Sequence, residues 1–121
     1  MAKKNVLIVD DSEFVRKIVY AALENDYRVF EAENGLEATE KLYSEEIALI
    51  ICDVIMPIMD GFEFVKKIKT DDNLKKIPIV MLTTESYDYT KQNFEELGVN
   101  DYLVKPVNSD KLNKIVKGII G

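Results

Sequence analysis

Five side chains in this chain have types and placements suited to metal and phosphoryl chemistry: the acidic pair Asp10-Asp11, the carboxylate Asp53, Thr83 and Lys105. Asp53 is the centre of the set. It closes the apolar run Ala48-Leu49-Ile50-Ile51-Cys52 and precedes a loop marked by Pro57 and Asp60-Gly61. Taken alone, Asp53 reads equally well as the first residue of a turn, because aspartate bonds readily to nearby backbone. The other four also follow apolar runs, and together they suggest a site. Three carboxylates about 4 Å apart repel by about 4 kcal/mol per pair at an effective dielectric of 20, so such a cluster calls for a cation. Oxygen ligands without Cys or His select Mg²⁺, Mn²⁺ or Ca²⁺, and a site with few carboxylates suits Mg²⁺ completing its shell with water and phosphate. Lys105 and Thr83 then offer a point charge and a hydroxyl to a phosphoryl group.

Those residues must be carried by elements that bring them together. Val6 to Asp10 reads as a strand, followed by Phe14, Val15, Ile18, Val19, Ala22 and Leu23 at helical spacing. Tyr27 to Ala32 is rich in strand formers, and Asn34-Gly35 separates it from the helical set Leu36, Ala38, Leu42. The run ending at Asp53 lacks polar alternation, the pattern of a strand covered on both faces. A helix carrying Phe64, Val65 and Ile68 begins near Asp60-Gly61, and Pro78 opens a fourth strand, Ile79 to Leu82. A fourth helix holds Phe94 and Leu97 and stops at Gly98, Tyr102 to Val104 forms the last strand, and Asn108 or Ser109 caps a final helix burying Leu112, Ile115, Val116 and Ile119. Alternating strands and helices predict a doubly wound α/β fold with a parallel sheet. In that fold the ends of strands one, three, four and five meet at one edge, which gathers Asp10, Asp11, Asp53, Thr83 and Lys105.

Composition narrows the classes. The 121 residues fit one domain, 1–121, with a core that needs no disulfide or metal. With 22 acids against 16 bases the net charge is −6, which argues against nucleic acid or an anionic membrane as partner. Cys52 is the single cysteine and histidine is absent, so an imidazole base or phosphocarrier has to come from a partner. No apolar stretch approaches the roughly 20 residues of a membrane helix, and the expected location is the cytoplasm.

At these residues the sequence resembles the response-regulator receiver domains of two-component signalling, stand-alone chemotaxis type. The resemblance runs from Val6 to Ile120 and rests on Asp10-Asp11, Asp53 before Met56-Pro57 and Asp60-Gly61, Thr83, and Lys105-Pro106. It implies a flavodoxin-like five-stranded sheet of order 2-1-3-4-5. It also implies that Asp53 takes a phosphoryl group from a histidine of a sensor kinase or phosphotransfer protein. Asp11 would bind Mg²⁺ directly, Asp10 largely through water, and Asp53 and the carbonyl of Ile55 would complete the protein ligands. Thr83 would draw its loop toward the bound phosphoryl and Tyr102 would turn inward. The signal would then leave through the fourth helix, fifth strand and fifth helix of a monomer that catalyses only its own phosphorylation and dephosphorylation.

Ordinary roles stand beside these. Asp11 or Ser12 can cap the first helix, Thr83 can be a strand residue or the cap of the fourth helix, and Lys105 can be a solvated charge before proline. Tyr102 can simply pack. Several positions also depart from the common receiver pattern. Thr84 is bulkier than the usual small residue, Ile55 cannot orient a water, Glu85 could contact one or repel an incoming anion, and Phe94 and Leu97 are large. A Mg²⁺-dependent phosphatase with an aspartate nucleophile would need a second acid at Ile55. A flavodoxin would need a Ser/Thr/Gly-rich phosphate loop in place of Asp10-Asp11. A receiver cut from a longer regulator remains a further alternative.

Overall fold

The computed structural model describes residues 2–84 and 93–121. Strands and helices follow in the order β1 (Lys4–Val9), α1 (Glu13–Leu23), β2 (Tyr27–Ala32), α2 (Gly35–Ser44), β3 (Leu49–Asp53), α3 (Gly61–Lys69), β4 (Ile79–Thr83), the helical residues 93–97 (α4), β5 (Asp101–Val104) and α5 (Ser109–Ile120). The strands form one parallel sheet in the order β2-β1-β3-β4-β5. This is the flavodoxin-like fold expected from the sequence. The observed limits differ slightly from that reading: β1 starts earlier, at Lys4, β4 runs on to Thr83, and β5 begins at Asp101.

The pleat splits the core in two. Leu7, Val9, Ile50, Cys52, Ile79 and Met81 face α2, α3 and α4, while Val6, Ile8, Leu49, Ile51, Val80 and Leu82 face α1 and α5. Every residue of β3 is buried, which is why this strand carries no polar alternation before Asp53. Side-chain caps set the helix starts by occupying amide groups that have no intrahelical acceptor. The N–H of Val15 donates to Ser12 Oγ at 3.3 Å, that of Glu37 to Asn34 Oδ1 at 2.9 Å, that of Glu63 to Asp60 Oδ1 at 2.9 Å, and that of Lys111 to Asn108 Oδ1 at 3.0 Å. Gly98, at φ +75°, takes the left-handed turn that ends α4. Among the described residues no helix is long and apolar enough to cross a membrane.

Candidate functional site

Strand parity places the charged residues. Asp53 continues the row of Leu49 and Ile51, Asp10 follows the row of Val6 and Ile8, and Lys105 follows that of Leu103, so all three emerge on the α1/α5 side of the sheet. The side chains meet there. Lys105 Nζ lies 3.0 Å from Asp10 Oδ2 and 3.3 Å from Asp53 Oδ2. Carboxylate oxygens of Asp10, Asp11 and Asp53 all lie within 4.8 Å of one another, with Asp10 and Asp53 buried and Asp11 exposed.

Each member is held by its backbone surroundings. The N–H of Asp10 donates to Ala32 O at 3.0 Å, and Asp10 Oδ1 accepts from the N–H of Ser12 at 2.9 Å. The N–H of Val54 donates to Leu82 O at 3.0 Å and that of Gly61 to Val54 O at 2.7 Å, which folds the loop after Asp53 back onto the strand end. The N–H of Lys105 reaches Thr83 O at 2.7 Å, so the last strand delivers the ammonium to the site. Lys105-Pro106 is a cis peptide.

The charges do not balance. Burial pushes the Asp53 carboxyl above its ordinary value and the neighbouring Asp10 charge adds to this, while Lys105 and the N–H of Ile55 pull the other way and do not cancel it. Burial works against the Lys105 ammonium, yet its bonds and attraction to Asp10, and then to Asp53, hold it above its usual value. Asp10 Oδ2 is buried and has the Lys105 ammonium, at 3.0 Å, as its partner. One lysine therefore stands against three acids, in contact with the two buried ones. This donor set, all hard oxygen, fits a divalent cation.

The other expected residues lie close by. Ile55 follows Asp53 by two positions and its side chain is largely exposed. Thr83 is buried at the end of β4, opposite Val104 and one position beyond the Leu82 that pairs with Asp53. It belongs to the row of Met81, which faces α3 and α4. Tyr102 pairs with Met81 on β5, so Thr83 and Tyr102 are diagonal neighbours on that face. Tyr102 is half-buried with its ring centroid 5.4 Å from that of Phe94, which in turn lies 5.7 Å from Phe62. Thr84 is exposed, and Glu85 lies outside the described residues.

Two contributors escaped the sequence reading. A Cβ on Gly61 would lie 2.2 Å from Asp53 O and 2.8 Å from Val54 Cα, so this glycine allows the loop to close on the backbone of the central strand end. Asp60-Gly61 was legible as a helix start, not as a close approach. Arg16 of α1 donates from Nη1 to Asp10 O at 2.7 Å and from Nε to Glu31 Oε1 at 3.1 Å. On an amphipathic helix its charge looks like one more solvated group.

Known proteins agree with this architecture. A family model described as the response regulator receiver domain matches residues 6–117. The chain is 39% identical over 119 residues to the chemotaxis protein CheY1 of Helicobacter pylori, covering 96% of each. It superposes on the structure of Vibrio cholerae chemotaxis protein CheY4 with a TM-score of 0.91 and 40% identity, covering 98% of this chain and 100% of that one. It also superposes on the receiver domain of the sensor histidine kinase PA1611 of Pseudomonas aeruginosa, at a TM-score of 0.88, 28% identity and 99% of each chain; that structure has a magnesium ion coordinated in its active-site cleft.

Proposed function

From the premise that the chain belongs to the response-regulator receiver family of two-component signalling, we propose that Asp53 is its phosphoacceptor, charged by a histidine of a partner kinase or phosphotransfer protein. As a member of that family it is a signalling protein, not a conventional enzyme. The observation that carries the proposal is the contact of Lys105 Nζ with both Asp10, at 3.0 Å, and Asp53, at 3.3 Å, beside the third acid, Asp11.

In the transfer, an Asp53 carboxylate oxygen forms the new P–O bond while the P–N bond of the partner's phosphohistidine breaks and its electron pair stays on the imidazole. A loose phosphoryl transition state gains most from positioning and charge. Lys105 supplies charge from its place against Asp53, and the Thr83 hydroxyl at the neighbouring strand end supplies a hydrogen bond. Asp10, Asp11 and Asp53, with the carbonyl of Ile55, are the residues to hold Mg²⁺, which when bound neutralises phosphoryl oxygens that three acids would otherwise repel. The same aspartyl phosphate is lost to water, so the chain resets itself.

Phosphorylation adds about −1.5 to −2 charge, which favours the state with Thr83 drawn toward the site. Thr83 and Tyr102 share a face of the sheet, and this supports a link by which Tyr102 alters the α4, β5 and α5 surface offered to a protein target. The likeness to two chemotaxis proteins favours a chemotaxis pathway and a cytoplasmic location, and we read residues 1–121 as one receiver domain acting as a monomer. A small donor, acetyl phosphate with Mg²⁺, should add one base-labile phosphoryl group by intact mass to the wild type and none to Asp53→Asn. The same adduct on the variant would remove Asp53 as acceptor.

A further inference from the structure

We infer that Arg16 is a positioning residue for the cation-binding acids, its guanidinium fixing the β1-to-α1 turn by spanning the Asp10 carbonyl and the Glu31 carboxylate. The inference rests on the cation reading above. Nη1 reaches Asp10 O at 2.7 Å and Nε reaches Glu31 Oε1 at 3.1 Å, while Lys17 Nζ holds the other Glu31 oxygen at 2.9 Å. The Arg16 and Glu31 side chains are 14% and 24% exposed, against 60% for Lys17, so the bridge lies under the surface. A pair that merely tied α1 to β2 would need no bond to Asp10.

That bond acts on the acids through the backbone. The peptide unit is planar, so fixing the Asp10 carbonyl fixes the plane that leads into Asp11. Asp11 is exposed, and its place depends on that backbone. With N–H to Ala32 O, Oδ1 to the N–H of Ser12 and Oδ2 against Lys105, the carbonyl held by Arg16 is the remaining polar group that sets Asp10. A planar fork holds the carbonyl and the carboxylate in fixed directions from two of its nitrogens, whereas an ammonium can reach both only from a single nitrogen and sets no such plane.

The sign of one effect separates positioning from bulk charge. Removing a cation near three acids should tighten binding of another cation by simple Coulomb attraction. Losing the positioned turn should weaken it, and outer-sphere contacts of this kind typically carry about 10- to 100-fold in metal affinity. The test is an Mg²⁺ titration followed by amide NMR on wild type, Arg16→Met, Arg16→Lys and Lys17→Met, the last removing the same charge from Glu31 without touching Asp10. We expect Arg16→Met to bind about 10-fold more weakly or worse, Arg16→Lys to fall between it and wild type, and Lys17→Met to stay within about twofold. Equal or tighter binding by Arg16→Met, full affinity in Arg16→Lys, or an equal loss in Lys17→Met would overturn the inference. If Arg16→Met does not fold, Arg16→Lys is read alone against wild type with the same sign. Hydrogen exchange of the Ser12 amide in metal-free protein is a second readout, expected to quicken in both Arg16 variants relative to β4 amides. Unchanged exchange also overturns the inference. A wild type that ignores Mg²⁺ would sink the cation reading instead, and the Ser12 amide would still judge Arg16.

Discussion

Replacing Gly61 by alanine sets two known effects against each other. Alanine in place of glycine at a helical residue gains up to about 1 kcal/mol by restricting the unfolded chain. Here the added Cβ would meet Asp53 O at 2.2 Å, Val54 Cα at 2.8 Å and Asp53 C at 3.1 Å. All three obstacles are backbone atoms of the central strand end and its loop, so no side chain can swing aside. Overpacking costs about 1–3 kcal/mol, and a backbone obstacle belongs at the upper end. The clash wins by about 2 kcal/mol. With an unfolding entropy of roughly 2.1 cal/mol/K per residue over 121 residues, that lowers Tm by about 8 °C. The counterpart is Gly118 in α5, where an added Cβ has nothing within 4 Å, so Gly118→Ala should stabilise by about 0.5–1 kcal/mol. Thermal and urea unfolding by circular dichroism measure both. Gly61→Ala as stable as the wild type would refute the close-approach argument, and a destabilised Gly118→Ala would refute the way the two terms were weighed. Gly61→Ala should also slow uptake of phosphate from acetyl phosphate, because the strained peptide is that of Asp53.

Mg²⁺ at 100 times its dissociation constant should raise stability by about 2.7 kcal/mol, and urea midpoints that do not move would count against a shared acidic site. Two carboxylates should show opposite pH signatures in metal-free protein. The Asp53 carboxyl is raised above 3.8 by burial and by Asp10, so its contribution is present below that pH and lost as pH rises through the folded value; the stability advantage of Asp53→Asn should grow over that rise. Burial raises Glu31, but bonds to Lys17 and Arg16 bring it below 4.5, so its contribution is present above that pH and lost as pH falls through the folded value; the loss from Glu31→Gln should vanish on acidification. Slopes of the same sign in unfolding series from pH 3 to pH 7 would contradict this pair. Thr83→Ala should still take phosphate on Asp53 yet lose much of the Tyr102 NMR response to the phosphoryl mimic beryllofluoride, and an equal response in both proteins would break the proposed link.

Much of the architecture was legible because local pattern and global fold agree. The unalternating run before Asp53 is a fully buried central strand, and Asn34, Asp60 and Asn108 cap helices where turn and cap residues stand in the sequence. Period-2 counting also explains why Asp10, Asp53 and Lys105 share one side, once the parallel order is known. What stayed hidden needed contacts between distant segments. Arg16 and Glu31 are 15 residues apart on different elements, and nothing in either neighbourhood signals that they share a bond. Gly61 looked like a helix start because its constraint comes from the strand end it touches, not from its own turn. The bulk of Phe94 stood out in the sequence as a departure, and its packing against Tyr102 and Phe62 gives that bulk a structural place.

The central claim is that Asp53 carries the phosphoryl group in a cation-assisted site, and an acyl phosphate leaves a chemical mark that can be read directly. Borohydride reduces an aspartyl phosphate to homoserine, so protein treated with acetyl phosphate and Mg²⁺, reduced, digested and sequenced by mass spectrometry should carry homoserine at position 53. The conversion should disappear when Mg²⁺ is removed by chelation. Homoserine at position 10 or 11, or undiminished conversion at position 53 without the metal, would contradict the account.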